Sequence, residues 1–392
     1  MKLIVLNDDG TKSTHNLSKT TTSNIKEINF ISSSKKEQNA LKICQNYFNN
    51  NKTILFDETN QIISSKLSNI DNNIFNTYDF SMMFFTSGST GNPVGALKTK
   101  FNLEEEVKVF AKLVKKYNIK QVIVTVPFIH IYGTLIGLLY PILNGIDIVL
   151  KEHFLPHNLL DIIDDNSLVV TTPLYIKALN KISDTKDLSK SIFISSTAPL
   201  DNKNINIFTN KFNTNIIQLF GSTETSGIAY KYNDCELWTP LENVNISTNE
   251  QNELKVTSPF VSKVLYENDF KTIGDNFQTF DYIEQYENKF KLIGRSSKIL
   301  KIAGKRYSTI QIENILEDTD GISKALVFVC SSKDLLKDEI LDITIENTQE
   351  FTPLDIKKIL KSKLSNLKFS INLKCVKEIT TNSIGKKLHI NV

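Results

Sequence analysis

Arginine is nearly absent from this chain. Of its 46 basic residues only two, Arg295 and Arg306, are arginine; all the others are lysine. A guanidinium offers a rigid, bidentate fork that an ammonium cannot copy. A chain so biased toward lysine therefore points to a site around these two residues, with an ordinary structural ion pair as the alternative for each. Cysteine is scarce too. Cys44, Cys235, Cys330 and Cys375 are widely scattered with no Cys-x-x-Cys pair, which indicates neither zinc nor a disulfide scaffold and fits reduced thiols. Long hydrophobic runs are missing: the longest, residues 131–143, is about 13 residues, too short for a bilayer core of roughly 30 Å. Residues 1–10 read as a short strand ending in an Asp-Gly turn, not as a signal peptide. A net charge of +3 over 392 residues, without a dense basic stripe, argues against nucleic acid as the main partner. The expectation is a cytoplasmic protein that engages neither membrane nor nucleic acid.

What is present begins at residue 82. The apolar run Met82-Met83-Phe84-Phe85 reads as a buried strand end, and Thr86-Ser87-Gly88-Ser89-Thr90-Gly91 follows it. Two glycines allow a sharp turn and a close backbone approach. Hydroxyls and exposed N–H groups would surround an anion such as a nucleotide phosphate; the plain alternative is a Ser/Gly-rich surface turn. The Gly-x4-Gly-Lys-Ser/Thr spacing of a Walker A loop is absent. Between residues 121 and 220 short β-branched runs alternate with helical patterns, which implies a parallel sheet covered on both faces and ligand groups at strand C-termini. Residues 241–290 break into short β segments suited to a small antiparallel sheet. The length suggests two or three domains, and 40% hydrophobic content is enough for sizeable cores.

The segment from Thr86 through Asn92 and Pro93 resembles the phosphate loop of the adenylate-forming superfamily: acyl- and aryl-CoA synthetases, peptide-synthetase adenylation domains and luciferase. Further segments follow in the family's order. Val126-Pro127-Phe128-Ile129-His130-Ile131-Tyr132-Gly133 is similar to the segment beside the acyl pocket, and Ser195-Ser196-Thr197-Ala198-Pro199 to the adenine-contacting turn, with Ser and Thr for its glycines. Phe220-Gly221-Ser222-Thr223-Glu224 is similar to the Tyr-Gly-Ser-Thr-Glu motif. Gly274-Asp275, the segment from Gly294 and Arg295 through Lys301 and Gly304 to Arg306, and Gly385-Lys386 complete the set. The resemblance departs at Val94, where the family has lysine (Lys98 being a candidate stand-in), in the last motif, and in having only about 80 residues before the loop.

The resemblance implies an α/β fold: a large N-terminal AMP-binding domain over residues 1–297, with a βα-layered parallel sheet and a small β subdomain at about 241–293, and a small mobile α+β lid over 298–392, hinged at Lys298. It implies ATP-dependent activation of a carboxylic acid to acyl-AMP with release of pyrophosphate. Transfer then follows to the thiol of CoA or of a carrier-protein phosphopantetheine, so an acyl carrier protein is a candidate partner. Glu224 would bind Mg²⁺, and Thr223 with Thr86, Ser87, Gly88, Ser89, Thr90 and Gly91 would hold phosphates. Ala198, Pro199, Phe220, Gly221 and Ser222 would surround adenine, with Phe220 stacked on it. Asp275 would accept from the ribose hydroxyls with Arg295 beside it. Lys386 would bridge the carboxylate and the α-phosphate, and Lys301 and Gly304 would face the incoming thiol. His130 would line the acyl pocket, a structural role being equally open. No Asp stands near His130 to hold an ammonium group, so the acid is expected to be aromatic or medium-chain acyl. A nucleotide-binding pseudoenzyme and a carrier-protein-docking subunit of a larger synthase are the alternatives.

Overall fold

A computed structural model describes residues 1–18, 27–32, 35–58, 60–68, 70–86, 93–295, 299–302, 305–330, 340–364, 370–380 and 387. Two compact units result: Met1–Cys235, Thr239–Ile246 and Val256–Phe277 form the first, and Glu236–Trp238, Ser247–Lys255 and Gln278–Val392 the second.

The first unit is built on a nine-stranded sheet. Its centre runs parallel through Asn215–Ser222, Ile192–Ser195, Ser167–Thr171, Gln121–Val124, Asp147–Leu150 and Lys2–Leu6. Antiparallel partners flank both sides, Ser226–Tyr232 and then Thr239–Pro240 on one and Lys12–Asn16 on the other. The two-residue period of a strand explains the layering. Val122, Val124, Leu168, Val170, Ile192 and Ile194 enter the core on one face, while Ile123, Val169 and Phe193 enter that on the other. Helices carrying Leu103, Val107 and Phe110 cover the first face, and helices carrying Ile176, Ile205, Phe208 and Phe212 the second. Strands buried on both faces must be apolar throughout, as these are.

A second sheet of the same unit has six strands, ordered Phe270–Thr272, Val264–Tyr266, Gly95–Lys98, Met82–Phe85, Lys52–Leu55 and Ile28–Ile31. Two of them depart from the sequence expectation. Val264–Tyr266 was assigned by pattern to the small β subdomain, but it pairs with Gly95–Lys98, Val264 opposite Leu97 and Leu265 opposite Ala96. Tyr266 and Phe270 then join a cluster with Phe75 and Phe80, so aromatic burial decides the pairing.

One of the helical patterns expected between residues 121 and 220 also differs in detail. An α-helical turn at Ile131–Thr134 widens into a π-helix at Leu135–Leu139 before α-helix resumes at Tyr140–Asn144. Pro141 has no N–H to give, which disrupts the regular ladder there. Gly145, at φ +68°, ends the helix in the left-handed region.

The second unit holds most of a four-stranded sheet, ordered Asn245–Thr248, Glu253–Thr257, Asn276–Tyr286 and Lys289–Arg295. The hairpin Ile299–Ile302 with Lys305–Ser308 follows. A three-stranded sheet of Ile322–Cys330, Ile340–Asn347 and Ser370–Val376 packs with helices Thr309–Glu317 and Pro353–Lys363 around Ile312, Val327, Ile343 and Leu360. The second helix starts in a capping box of Thr352 and Asp355. Among the described residues no helix is long and apolar enough to cross a membrane.

Candidate nucleotide and acyl site

In the first unit the antiparallel hairpin of Met82–Phe85 and Gly95–Lys98 carries the phosphate-loop segment. Its base is closed twice: Thr86 N–H donates to Val94 O at 2.9 Å, and Val94 N–H donates to the Thr86 hydroxyl at 3.0 Å. The Thr86 hydroxyl is thus engaged within the hairpin. Ser87, Gly88, Ser89, Thr90 and Gly91 lie outside the described residues.

The Gly-Ser-Thr-Glu segment forms the tip of a second hairpin, between Asn215–Ser222 and Ser226–Tyr232. A register shift after Phe220 brings Gly221 so close to the opposite strand that a Cβ there would lie 2.1 Å from Ser226 O. Glycine is obligatory at that position. Ser222 N–H donates to the Thr225 hydroxyl at 3.1 Å and Thr225 N–H to the Ser222 hydroxyl at 3.2 Å. Those two hydroxyls fasten the turn and leave Thr223 and Glu224 at its half-exposed tip. Among the described residues nothing hydrogen-bonds or ion-pairs with the Glu224 carboxylate. Its main-chain carbonyl, by contrast, accepts from Lys98 Nζ at 2.8 Å and from Ser262 N–H at 2.9 Å.

Lys98 therefore does not stand in for the lysine that Val94 replaces. It is wholly buried, and its ammonium also donates to Phe260 O at 2.7 Å. Burial lowers its pKa, opposed by the charges of Glu106 and Glu224, while burial raises that of Glu106.

The adenine-turn segment leaves the end of strand Ile192–Ser195, beside Asn215–Ser222. Ser196 donates its hydroxyl proton to Leu219 O at 2.9 Å, which ties the turn holding Ala198 and Pro199 to the strand holding Phe220. Thr197 sits at φ +80°, where the family's glycine would be unstrained and a β-branched residue is not. Its hydroxyl and that of Ser195 are buried without a hydrogen-bond partner among the described residues.

His130 precedes the turn Ile131–Thr134, after strand Gln121–Val124. Burial holds its imidazole below the ordinary value, opposed by the charge of Asp57, and among the described residues Nε2 has no hydrogen-bond partner. Tyr132, beside it in sequence, places its hydroxyl 2.8 Å from Ile194 O and 3.0 Å from Thr171 O, joining the ends of two parallel strands.

Asp275 follows Gly274, at φ +76°, and pairs with Lys263 at 2.7 Å on the surface. Both line a cleft of about 330 Å³ with Phe101, Asn243 and Ser258. In the second unit, Arg295 pairs with the buried Asp281 at 3.2 Å. Lys301 lies on strand Ile299–Ile302. Lys298, Gly304 and Lys386 lie outside the described residues. The residue after Lys386 is described: Lys387 Nζ reaches Glu313 at 3.0 Å, Glu317 at 2.5 Å and Ala325 O at 2.6 Å.

Sequence patterns did not single out Glu106, Tyr132 or Lys387 as individual residues. Glu106 had one signal, its position on the otherwise apolar stripe Leu103, Val107 and Phe110 of a helix, where an acid needs a buried partner.

A family model described as AMP-binding enzyme matches residues 2–259. The chain belongs to that family. Among AMP-binding relatives, VraA of Staphylococcus haemolyticus (strain JCSC1435), which carries the name long chain fatty acid-CoA ligase, is 25% identical over 315 residues, covering 77% of this chain and 67% of its own. The 3,4-dihydroxybenzoate–[aryl-carrier protein] ligase of Bacillus anthracis is 21% identical over 311 residues, covering 78% and 72%. O-succinylbenzoate CoA synthetase of Bacillus subtilis, solved with ATP and magnesium ion, superposes with a TM-score of 0.77 at 13% identity, covering 98% of this chain and 95% of that one, a likeness of fold. The chain spans about two thirds of the length of the curated relatives it matches.

Proposed function

We propose that this AMP-binding protein activates a carboxylic acid with ATP and passes the acyl group to a thiol. The observation that carries the proposal is the bond from Lys98 to Glu224 O. It joins the hairpin of the phosphate loop to the hairpin tip bearing Thr223 and Glu224, across a sequence separation of 126 residues. Two segments that resemble nucleotide-binding motifs are thereby fixed together in one unit.

In this account a carboxylate oxygen of the acid attacks the α-phosphorus of ATP, the α–β bridging P–O bond breaks, and pyrophosphate leaves as acyl-AMP forms. Such a reaction is governed by positioning and by stabilisation of charge on phosphate oxygens. Thr223 and the loop from Thr86 to Gly91 hold the phosphates. Ala198, Pro199, Phe220, Gly221 and Ser222 enclose the adenine, with Phe220 stacked on it, and Asp275 takes the ribose hydroxyls, released from Lys263. Mg²⁺ suits the Glu224 carboxylate, a hard oxygen donor on a main chain held by Lys98, with no hydrogen-bond partner among the described residues, and would neutralise phosphate charge there. Arg295 and Lys386 supply the cations that flank the nucleotide.

Residues 298–392 act as the lid on residues 1–297. Turning about Lys298, the lid withdraws Lys386 and brings Lys301 and Gly304 to the thiol of CoA or of a carrier-protein phosphopantetheine. The acid is aromatic or medium-chain acyl. A half-buried His130 whose pKa is lowered by desolvation favours an apolar wall, and the names of the relatives, a fatty-acid ligase and a dihydroxybenzoate ligase, fall in the same range. A cytoplasmic enzyme of this kind would meet both acceptors. Pyrophosphate release that depends on ATP, Mg²⁺ and one such acid, and that falls at least about 100-fold in Lys386→Ala, is the result expected. ATP binding without release for any acid would favour a nucleotide-binding protein without catalysis.

A further inference from the structure

Beneath the tip of the Glu224 hairpin lie two buried residues of opposite charge, Lys98 and Glu106, that the proposed chemistry does not use directly. We infer that Lys98 and Glu106 are positioning residues that grip both strands of this tip and so set the place of the Glu224 carboxylate. The inference rests on Glu224 being the Mg²⁺ ligand.

Lys98 takes one side. Its ammonium donates to the main-chain carbonyl of Glu224 at 2.8 Å and, by its bond to Phe260 O at 2.7 Å, anchors that carbonyl to a separate loop. Glu106 takes the other side. Its Oε1 accepts from Gly227 N–H at 2.8 Å, on the strand that leaves the tip. Gly227 is shaped for this contact, because a Cβ there would lie 2.8 Å from the same oxygen. The turn between these two grips is internally tied by Ser222 and Thr225. Its place relative to the phosphate-loop hairpin therefore depends on the bonds from outside it.

A pair with 0% and 7% exposure is an expensive way to gain stability alone. Replacing such a pair by uncharged groups of similar volume is often neutral for folding. Losing the group that orients a metal ligand, however, weakens metal affinity about 10- to 100-fold. Stability and metal dependence should thus separate.

The test compares Lys98→Met/Glu106→Met with the unaltered protein and with Glu224→Gln. Two quantities are measured: Mn²⁺ binding to the ATP complex by paramagnetic relaxation, and the melting temperature. The expected result is at least about tenfold weaker Mn²⁺ binding, with metal-free ATP binding and melting temperature nearly unchanged. Unchanged Mn²⁺ binding in the folded double variant, while Glu224→Gln weakens it, overturns the positioning role. Unchanged binding in Glu224→Gln overturns the metal assignment itself, and the inference with it. If the double variant does not fold, Glu106→Met alone decides, since it removes the Gly227 bond at similar volume and leaves both Lys98 bonds in place. Binding weakened more than about threefold supports the inference, and unchanged binding overturns it.

Discussion

At the scale of single residues, burial without a partner is what makes two side chains informative. His130 is kept neutral by its surroundings, so its folded pKa lies below the ordinary value of 6.5. The unfolded chain then binds more protons than the folded one as pH falls through 6.5, and stability declines toward the folded pKa. His130→Gln should lose less stability than the unaltered protein between pH 7 and 5, as followed by urea midpoints; equal losses would place His130 in contact with solvent. Thr197 is the other case. A β-branched residue at φ +80° stores about 1–3 kcal/mol of strain, and its buried hydroxyl has no partner. Thr197→Gly relieves the strain and gives back roughly half to one kcal/mol in chain entropy. A modest rise in the urea midpoint is expected, and a fall would show that the threonine methyl packs better than its backbone suggests. The sequence displayed this threonine where the related turn has glycine, but it could not show that the backbone keeps the glycine conformation.

At the scale of elements, two connections decide whether the site is assembled. Gly221→Ala places a Cβ against Ser226 O, so the hairpin tip must open. Pyrophosphate release should fall roughly 100-fold, the size of effect seen when a preorganised contact is lost, while the parallel sheet melts near its usual temperature. Lys387 pairs with the buried Glu313 and the part-buried Glu317, and Lys387→Met removes both pairs at a cost of about 3 kcal/mol to the second unit. Faster proteolysis confined to residues beyond 278 would show it; uniform protection would mean that the two glutamates find other partners. Elements with strong periodicity were legible in sequence. The buried strands Ser167–Thr171 and Ile192–Ser195 follow from uninterrupted β-branched and apolar runs, and Pro353–Lys363 from its proline and its periodic Ile356 and Leu360. Pairing was less legible. Val264–Tyr266 has the same local pattern as its neighbours, and only the aromatic cluster around Phe75 assigns it to the other sheet. The π-helical turn before Pro141 was hidden for a similar reason, because apolar composition does not distinguish 3.6 from wider spacing.

At the scale of the whole molecule, the family and the α/β fold were legible because ligand motifs recur in a fixed order along the chain, whereas the buried supports of those motifs were not. Lys98 was a candidate stand-in for the phosphate-loop lysine, yet it is wholly buried with its ammonium on the Glu224 and Phe260 carbonyls. The proposed lid, hinged at Lys298, has its own consequence. Lys298→Pro restricts the backbone there, so acyl-AMP formation should continue while thioester formation falls at least about tenfold, measured as pyrophosphate and acyl-thiol in parallel. Equal loss of both would remove the hinge from Lys298. The most direct test of the account is ATP- and Mg²⁺-dependent pyrophosphate release across a panel of aromatic, fatty and amino acids, with Lys386→Ala beside the unaltered protein. The account predicts release with an aromatic or medium-chain acid that the substitution abolishes; silence across the panel while ATP still binds would contradict it.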